Sequence, residues 1–282
     1  MPRSLQVIVS SALILCLTMT ARSEDEPSKK VDDSPKKAES AIIKEAREHM
    51  TLLSAKSSGD GTEAEVELLS NPALSYGDAA RNWEGGTLWV WGKSGRPAAF
   101  MELFRDVSTN QPWIHALTLT SPELIQLTGP IGKRWTPKKS HFELKDVPDS
   151  PEVSDRPVVR LRQMKEISRR IEAHEFWEPN NSRFELRLLV QPVHRYQDES
   201  AKVIDGTVFV LAHGTNPEVI VQIEAHASEP PRWQYSFVRL AGGELHVSFD
   251  NKEVWTAPRN VTDQSVDPYW LFWSPPTQPA AK

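Results

Sequence analysis

Two tyrosine–aspartate pairs are the polar residues of this sequence whose types and spacing best suit ligand binding. Tyr76 and Asp78 are separated by one residue, and Tyr196 and Asp198 repeat the pair 120 residues later. A phenol can donate and accept hydrogen bonds and a carboxylate accepts them strongly, so each pair could hold hydroxyl or amino groups of a ligand. The commoner use of such residues is to anchor a loop, through the tyrosine hydroxyl and an aspartate turn. We take the four residues as candidate binding residues, with loop anchors as the alternative.

Tryptophans form the second group of candidates, because exported proteins that hold sugars or peptides often present flat aromatic faces. The chain has ten of them. A groove used once would contain tryptophans that lack a tryptophan 120 residues away, and Trp91 and Trp177 are our candidate binding residues among these. Core packing is the alternative for all of them, since tryptophan is large and commonly half buried. The tryptophans without such a counterpart include Trp83, Trp91, Trp177, Trp270 and Trp273.

Catalytic and metal motifs are not evident in the sequence. It contains no G-x-S-x-G elbow, no H-E-x-x-H, no paired-histidine spacing and no Asp-rich calcium loop. His174-Glu175 begins a zincin-like pattern, but Glu178 stands where the second histidine would be. The other histidines on or beside predicted strands suit surface or cross-strand positions: His213, His226 and His246. We therefore expect no cofactor and no metal, and the catalytic residues, if any, are unknown.

The elements that position these residues also recur at the spacing of 120. The stretch GGTLWVWGKSGRP returns as DGTVFVLAHGTNP, and each copy reads as two strands joined by a Gly- and Pro-containing turn. A helical pattern precedes each copy, from Ile42 to Leu53 and from Leu161 to Phe176. The sequence thus predicts an α+β tandem duplication, each unit one helix packed on a curved antiparallel sheet of about five strands. A β-sandwich shared by the two copies is the alternative.

The first residues are typical of an export signal. Arg3 supplies a positive start, residues 5–19 are mostly apolar, and small residues precede Glu24. The apolar run is too short to span a bilayer, so we expect cleavage and no transmembrane segment afterwards. Cleavage also removes Cys16, the single cysteine, which leaves a tryptophan-rich mature chain without disulfides. The expected organisation is a signal peptide (1–23), a flexible charged tether (24–40), a first α+β repeat (41–145), a linker (146–158), a second α+β repeat (159–273) and a Pro-rich tail (274–282).

Composition limits the partners. The net charge of −5 and the pI of about 5.9 argue against nucleic-acid binding. We expect a secreted or periplasmic, non-catalytic binding or interaction module of the cell envelope, whose partner is an envelope protein or polysaccharide. A hydrolase with its site in the cleft between the repeats is the alternative, because a site used once would lie in residues that differ between the copies.

Several phrases of the chain resemble a family of exported proteins of planctomycete bacteria, for which no activity is established. The resemblance covers residues 65–273, and it supports export and an internal repeat. It assigns no catalytic residue. The phrases are NPALSYGDAARNWEGGTLWVWGKSGRPAAF, RLRQMKEISRRIEAHEFW, ELRLLVQPVHRY, DGTVFVLAHGTNPEVIVQIEA, RWQYSFVRLAGGELHV and KEVWTAP.

Overall fold

The structure, a computed structural model, describes residues 41–57, 63–78, 83–105, 112–178, 180–261 and 264–275. These residues belong to one compact unit that spans residues 39–282. The expected signal peptide, the tether and the tail from residue 276 onward lie outside the described residues. Neither helix in the described part has the length and apolar character that a membrane-spanning helix needs.

Strands dominate the fold. In the first half of the chain the elements are α1 (Ala41–Met50), β1 (Ser54–Ser57), β2 (Leu74–Asp78), β3 (Trp83–Trp91), β4 (Ala99–Arg105), β5 (Trp113–Leu119), β6 (Ile125–Thr128), a 3-10 turn (Pro130–Gly132), β7 (Arg134–Trp135) and β8 (Lys145–Asp146). In the second half they are α2 (Pro157–Ser168), β9 (Ile171–Trp177), β10 (Ser182–Leu188), β11 (His194–Asp198), β12 (Val203–His213), β13 (Asn216–His226), β14 (Arg232–Arg239), β15 (Glu244–Phe249), β16 (Lys252–Ala257) and β17 (Tyr269–Ser274).

The predicted α+β duplication of two helix-on-sheet units is wrong. Strands take 50% of the described residues and helices 12%, in large curled antiparallel sheets with only two helices among the described residues. A five-stranded sheet has the order β17-β5-β4-β3-β2, and a nine-stranded sheet has the order β16-β15-β9-β10-β12-β13-β14-β8 with β11 added beside β12. A third sheet of three strands is β1-β6-β7. The last described strand, β17, thus belongs to the sheet of first-half strands, and β8 extends the sheet of second-half strands, so each of these sheets contains strands from both halves.

One helix prediction fails for a local reason. The pattern from Leu161 to Phe176 predicted a single helix, whereas α2 ends at Ser168 and β9 begins at Ile171. Pro157 starts α2 at a position where its missing N–H is tolerated. Beyond the helix, burial alternates along β9, with Ala173 and Glu175 facing inward between exposed or half-buried neighbours. That change of period places Glu175 on a strand.

Several strand pairings of the first half recur in the second half at positions 120 residues later. In the β2–β3 pair Tyr76 lies opposite Gly86, and in the β11–β12 pair Tyr196 lies opposite Gly206, each followed by a bulge two residues later. The registers of β3–β4 and β4–β5 recur in β12–β13 and β13–β14. A Cβ atom on Gly86 or Gly206 would lie 2.4 or 2.6 Å from the facing tyrosine. The glycines therefore recur because a tyrosine ring lies across each of them.

The core consists of three apolar clusters. Ala46 and Met50 of α1 pack against the five-stranded sheet in one cluster, together with the buried Trp113. Met164 and Ile167 of α2 pack against the nine-stranded sheet in another. The third cluster combines residues of both sheets, so their inner faces pack on each other. Its members include Leu88, Val90, Phe100, Tyr196, Val208, Val210, Ile220 and Val238.

Candidate functional site

Polar residues lie on both sides of this sheet-on-sheet cluster. Along β13, Glu218, Gln222 and Glu224 share the inner face with Ile220, and all four are at most 1% exposed. Along β4, Glu102 lies between the buried Phe100 and Phe104 on the face that meets the other sheet. A buried carboxylate is costly unless it is paired or hydrogen-bonded, so the partners of these acids indicate what each end of the interface does.

One end is closed by an arginine. Arg96, in the loop between β3 and β4, bonds Glu224 with Nε–Oε1 and Nη2–Oε2 distances of 2.7 and 2.8 Å. Tyr196 donates its hydroxyl to the same carboxylate at 2.6 Å, and His226 contacts it at 2.6 Å. Burial by itself raises the pKa of Glu224, but the hydrogen bonds from Arg96 and His226 and the charge of Arg96 outweigh burial and lower this pKa to about 2. Glu224 is therefore a satisfied structural anion.

The other end is a cavity of about 530 Å³ between the two sheets. Three buried carboxylates line it, those of Glu102, Glu175 and Glu218, which are 3%, 1% and 1% exposed. Tyr76 donates its hydroxyl to Glu102. We call this space the acidic cavity. Its apolar lining comes mainly from the five-stranded sheet, through Phe104, Ile114, Ala116, Tyr269, Leu271 and Trp273.

A cluster of potential ligand atoms lies beside the acidic cavity. One atom each of Glu175, His213 and Glu218 lies within 4.8 Å of the other two. His213 Nδ1 is 2.7 Å from Glu175 Oε1. Asn216 donates from Nδ2 to Glu218 Oε1 at 3.0 Å. Two carboxylates, an imidazole and an amide therefore converge here from three strands.

The hairpin of β12 and β13 explains this convergence. His213 pairs with Asn216 across the two-residue tip, where Gly214 has a positive φ of 63°. The register shifts between Leu211 and Ala212, which leaves Glu218 as the extra residue of a bulge. Bulges are frequent beside functional sites. Thr215 at the tip donates its hydroxyl to the carbonyl of Gly77, which fixes the hairpin to the first half of the chain.

Aromatic residues form the rim of the acidic cavity. Trp273, at the end of β17, is 46% exposed and lines it. Trp177 lines it from β9, and the guanidinium of Arg259 lies 5.1 Å from the Trp177 ring centroid. Arg259 also bonds Glu178 at 3.0 Å. An acidic interior with an aromatic rim is the arrangement from which small-molecule sites are built.

The closed end and the acidic cavity occupy corresponding places. The residue 120 positions after Arg96 is Asn216, and the residue 120 positions before Glu224 is Phe104. Tyr196 and Tyr76 correspond in the same way. Where Arg96 fills one end with a guanidinium, the shorter Asn216 leaves space at the other. The acidic cavity is thus open at the position where the closed end holds a guanidinium.

The residues predicted from sequence fall in different environments. Tyr196 is buried in the closed end, and Asp198 accepts hydrogen bonds from the backbone N–H groups of Arg96 and Ala201 at 2.9 and 3.0 Å. Both therefore have contacts typical of loop anchors. Tyr76 bonds a cavity carboxylate, while only the backbone of Asp78 is described, in β2.

The two candidate tryptophans also differ. Trp91 is 2% exposed and packs in the cluster beneath α1, away from the acidic cavity. Trp177 lines the cavity, together with Trp273 from the same unmatched group. Of the two tryptophans predicted as binding residues, only Trp177 therefore lies on the rim of the acidic cavity.

The acids of the cavity were missed. Glu218 belongs to an alternating pattern that resembles a solvated strand face, and the pattern around Glu175 was assigned to a helix. Two signals were available in the sequence. Ile220 shares the face of Glu218, and Glu102 stands within the apolar run AFMELF. An apolar residue on a polar face, and a carboxylate in an apolar strand, both indicate a buried charge.

A second cavity of about 680 Å³ shares Arg259 and Tyr269 with the first. Its most buried cation is Arg239, which donates to the carbonyls of Ala241, Pro258 and Gly243 at 2.9, 2.9 and 2.6 Å. These hydrogen bonds occupy the guanidinium and hold two loops together. The acidic cavity is therefore the better candidate site.

No protein family, curated protein or solved structure matches this chain. Its function must be inferred from the chemistry of the acidic cavity.

Proposed function

We propose that this protein is an exported carbohydrate-binding protein of the cell envelope, and that the acidic cavity is its binding site. The observation that carries the proposal is the meeting of buried carboxylates and an aromatic rim in one cavity between the two sheets. The export signal predicted in residues 1–23 supports the location, and the resemblance to exported planctomycete proteins agrees with it.

A sugar suits both parts of this cavity. Its hydroxyl groups donate hydrogen bonds that the carboxylates of Glu102 and Glu218 can accept. Its C–H face is apolar and can stack on an indole ring such as that of Trp273. The cavity volume of about 530 Å³ lies in the usual range of small-molecule sites.

Binding can be tested on the purified protein by titration calorimetry with soluble envelope oligosaccharides. We expect Trp273→Ala and Trp177→Ala each to weaken binding at least tenfold. Leu52→Ala is the control, because Leu52 is 50% exposed, close to the 46% of Trp273, and does not line the cavity. The assignment is wrong if the parent binds none of the sugars, or if the tryptophan variants bind as tightly as the parent.

A hydrolase is the second candidate, favoured by one pair of carboxylates. An oxygen of Glu175 and one of Glu218 lie within 4.8 Å of each other. Glycosidases act with two carboxyl groups that flank the scissile bond. Release of reducing ends from envelope polysaccharide, abolished in Glu218→Gln, would establish this activity. Binding of the sugar without turnover would reject it.

A further inference from the structure

Two of the described buried carboxylates pair with arginines. Asp205 bonds Arg160 at 2.9 Å and Arg195 at 2.7 Å, and Glu224 bonds Arg96. Arginine balances the charge of a carboxylate but does not ligate metals. These acids are therefore part of internal ion pairs.

At the acidic cavity the neighbours are residues that can ligate metals. Glu175 contacts the imidazole of His213, and Glu218 accepts from the amide of Asn216. Imidazole nitrogen and carboxylate oxygen are common ligands of Zn²⁺, and amide oxygens bind divalent cations as well. Open zinc sites have three protein ligands, and carboxylate and imidazole groups are both among the ligands they use.

Asn216 gives an independent indication of a ligand. Its side chain lines the cavity and is 5% exposed. Within the described part of the chain, its Oδ1 atom has no hydrogen-bond partner. A buried carbonyl oxygen without a partner has lost its hydration without compensation, so an ion or a donor group is expected beside it.

We propose that Glu175, His213 and Glu218 bind one divalent transition-metal ion, with Zn²⁺ the best match to the donor set and Asn216 Oδ1 beside the ion. Tetrahedral bonds of about 2.0–2.2 Å separate the ligand atoms by about 3.3–3.6 Å. The three atoms already lie within 4.8 Å of one another, so small side-chain rotations suffice.

The proposal goes beyond carbohydrate binding and is tested with the metal alone. After dialysis against a chelator, titration calorimetry with ZnCl₂ is expected to show one equivalent bound, with weaker binding of CaCl₂. His213→Ala and Glu218→Gln are each expected to weaken Zn²⁺ binding at least tenfold. His246→Ala is the matched control, because His246 also contacts two carboxylates, those of Glu253 and Glu244 at 2.8 and 3.0 Å.

Asn216→Asp keeps the proposal testable if a ligand variant fails to fold, as checked by circular dichroism. The added negative charge beside the ion is expected to tighten Zn²⁺ binding. No bound Zn²⁺, unchanged affinity in His213→Ala, or a loss that follows His246→Ala would each overturn the proposal. Metal binding without sugar binding would reject only the proposed function, and sugar binding without metal would reject only this inference.

Discussion

Arg96 and Glu224 form a two-pronged ion pair that joins the first half of the chain to the second. The two nitrogen–oxygen distances are 2.7 and 2.8 Å, and the side chains are 9% and 0% exposed. Tyr196 adds a third hydrogen bond, and burial together with the charge of Glu224 raises the pKa of this tyrosine well above its usual value. The hydroxyl therefore keeps its proton and remains a donor. The pair fixes the loop between β3 and β4 on the inner face of β13.

Arg96→Ala is expected to destabilise the protein by about 3–5 kcal/mol, because it leaves a buried carboxylate without its cation. Arg162→Ala is the matched control, since Arg162 pairs with Glu166 at 2.9 Å on the surface, with side chains 80% and 50% exposed. An exposed pair of this kind contributes about 0–1 kcal/mol. Urea unfolding of both variants measures the difference, and equal losses would show that Arg96 has no special role.

The acid side of the stability profile follows from Glu224. Its pKa is about 2 in the folded protein and about 4.3 when unfolded. A depressed carboxyl pKa contributes stability that is complete above the unfolded value and is lost as the pH falls to the folded value. We expect Glu224→Gln to be less stable than the parent at pH 6 and to lose less further stability between pH 4.5 and 2. Parallel profiles of the two proteins would contradict the assignment.

A buried pair of histidines makes the stability of the protein depend on pH in a second range. His49 Nε2 and His115 Nε2 are 2.9 Å apart. Burial, with the charge of Arg105, lowers the pKa of His49 to about 4, and burial, with the charge of His49, lowers that of His115 to about 3. Both titrate near 6.5 when unfolded, so the unfolded chain gains protons first as the pH falls below 6.5.

Stability is therefore expected to fall from pH 7 to pH 5, by up to about 1.4 kcal/mol per pH unit for each histidine. His115→Asn removes one of the two groups and should flatten the profile in this window. Melting temperatures at half-unit pH intervals give the measurement. An unchanged slope in the variant would mean that other groups control it.

The hairpins of β3 with β4 and of β12 with β13 were predictable from the sequence, whereas the sheets were not. Each hairpin pairs strands that are neighbours in the chain, and the local sequence encodes such a contact. The addition of β17 to β5 depends on contacts between residues more than 140 positions apart. Local patterns carry no information on such a pairing, and the predicted separate units failed for that reason.

The candidate site was only partly predictable for a related reason. Trp177 was recognised because no tryptophan lies 120 residues before it. Glu175, His213 and Glu218 come from three strands, and their side chains meet only after β9, β12 and β13 are placed in the sheet. No spacing in the sequence marks them.

Trp233 tests the assignment of a matched tryptophan to the core. It is 1% exposed and packs in the cluster beneath α2. Trp233→Ala is expected to lower the stability by about 3–5 kcal/mol, as for other buried tryptophans. Trp273→Ala, at 46% exposure, should change the melting temperature much less. Similar melting temperatures for the two variants would contradict the packing.

Asn216→Arg tests whether the acidic cavity is the open counterpart of the closed end. The residue 120 positions earlier is Arg96, whose guanidinium fills its crevice and bonds a buried carboxylate. An arginine at position 216 has about 530 Å³ of space and lies beside Glu218, with which Asn216 already bonds at 3.0 Å. Its charge should replace any bound cation, and its side chain should block a sugar. We expect a folded protein with an unchanged or higher melting temperature that binds neither Zn²⁺ nor oligosaccharide.

Asn251→Arg, an exposed position in the turn between β15 and β16, is the charge-matched control and should bind like the parent. If Asn216→Arg also binds both ligands like the parent, the acidic cavity is not the site of either.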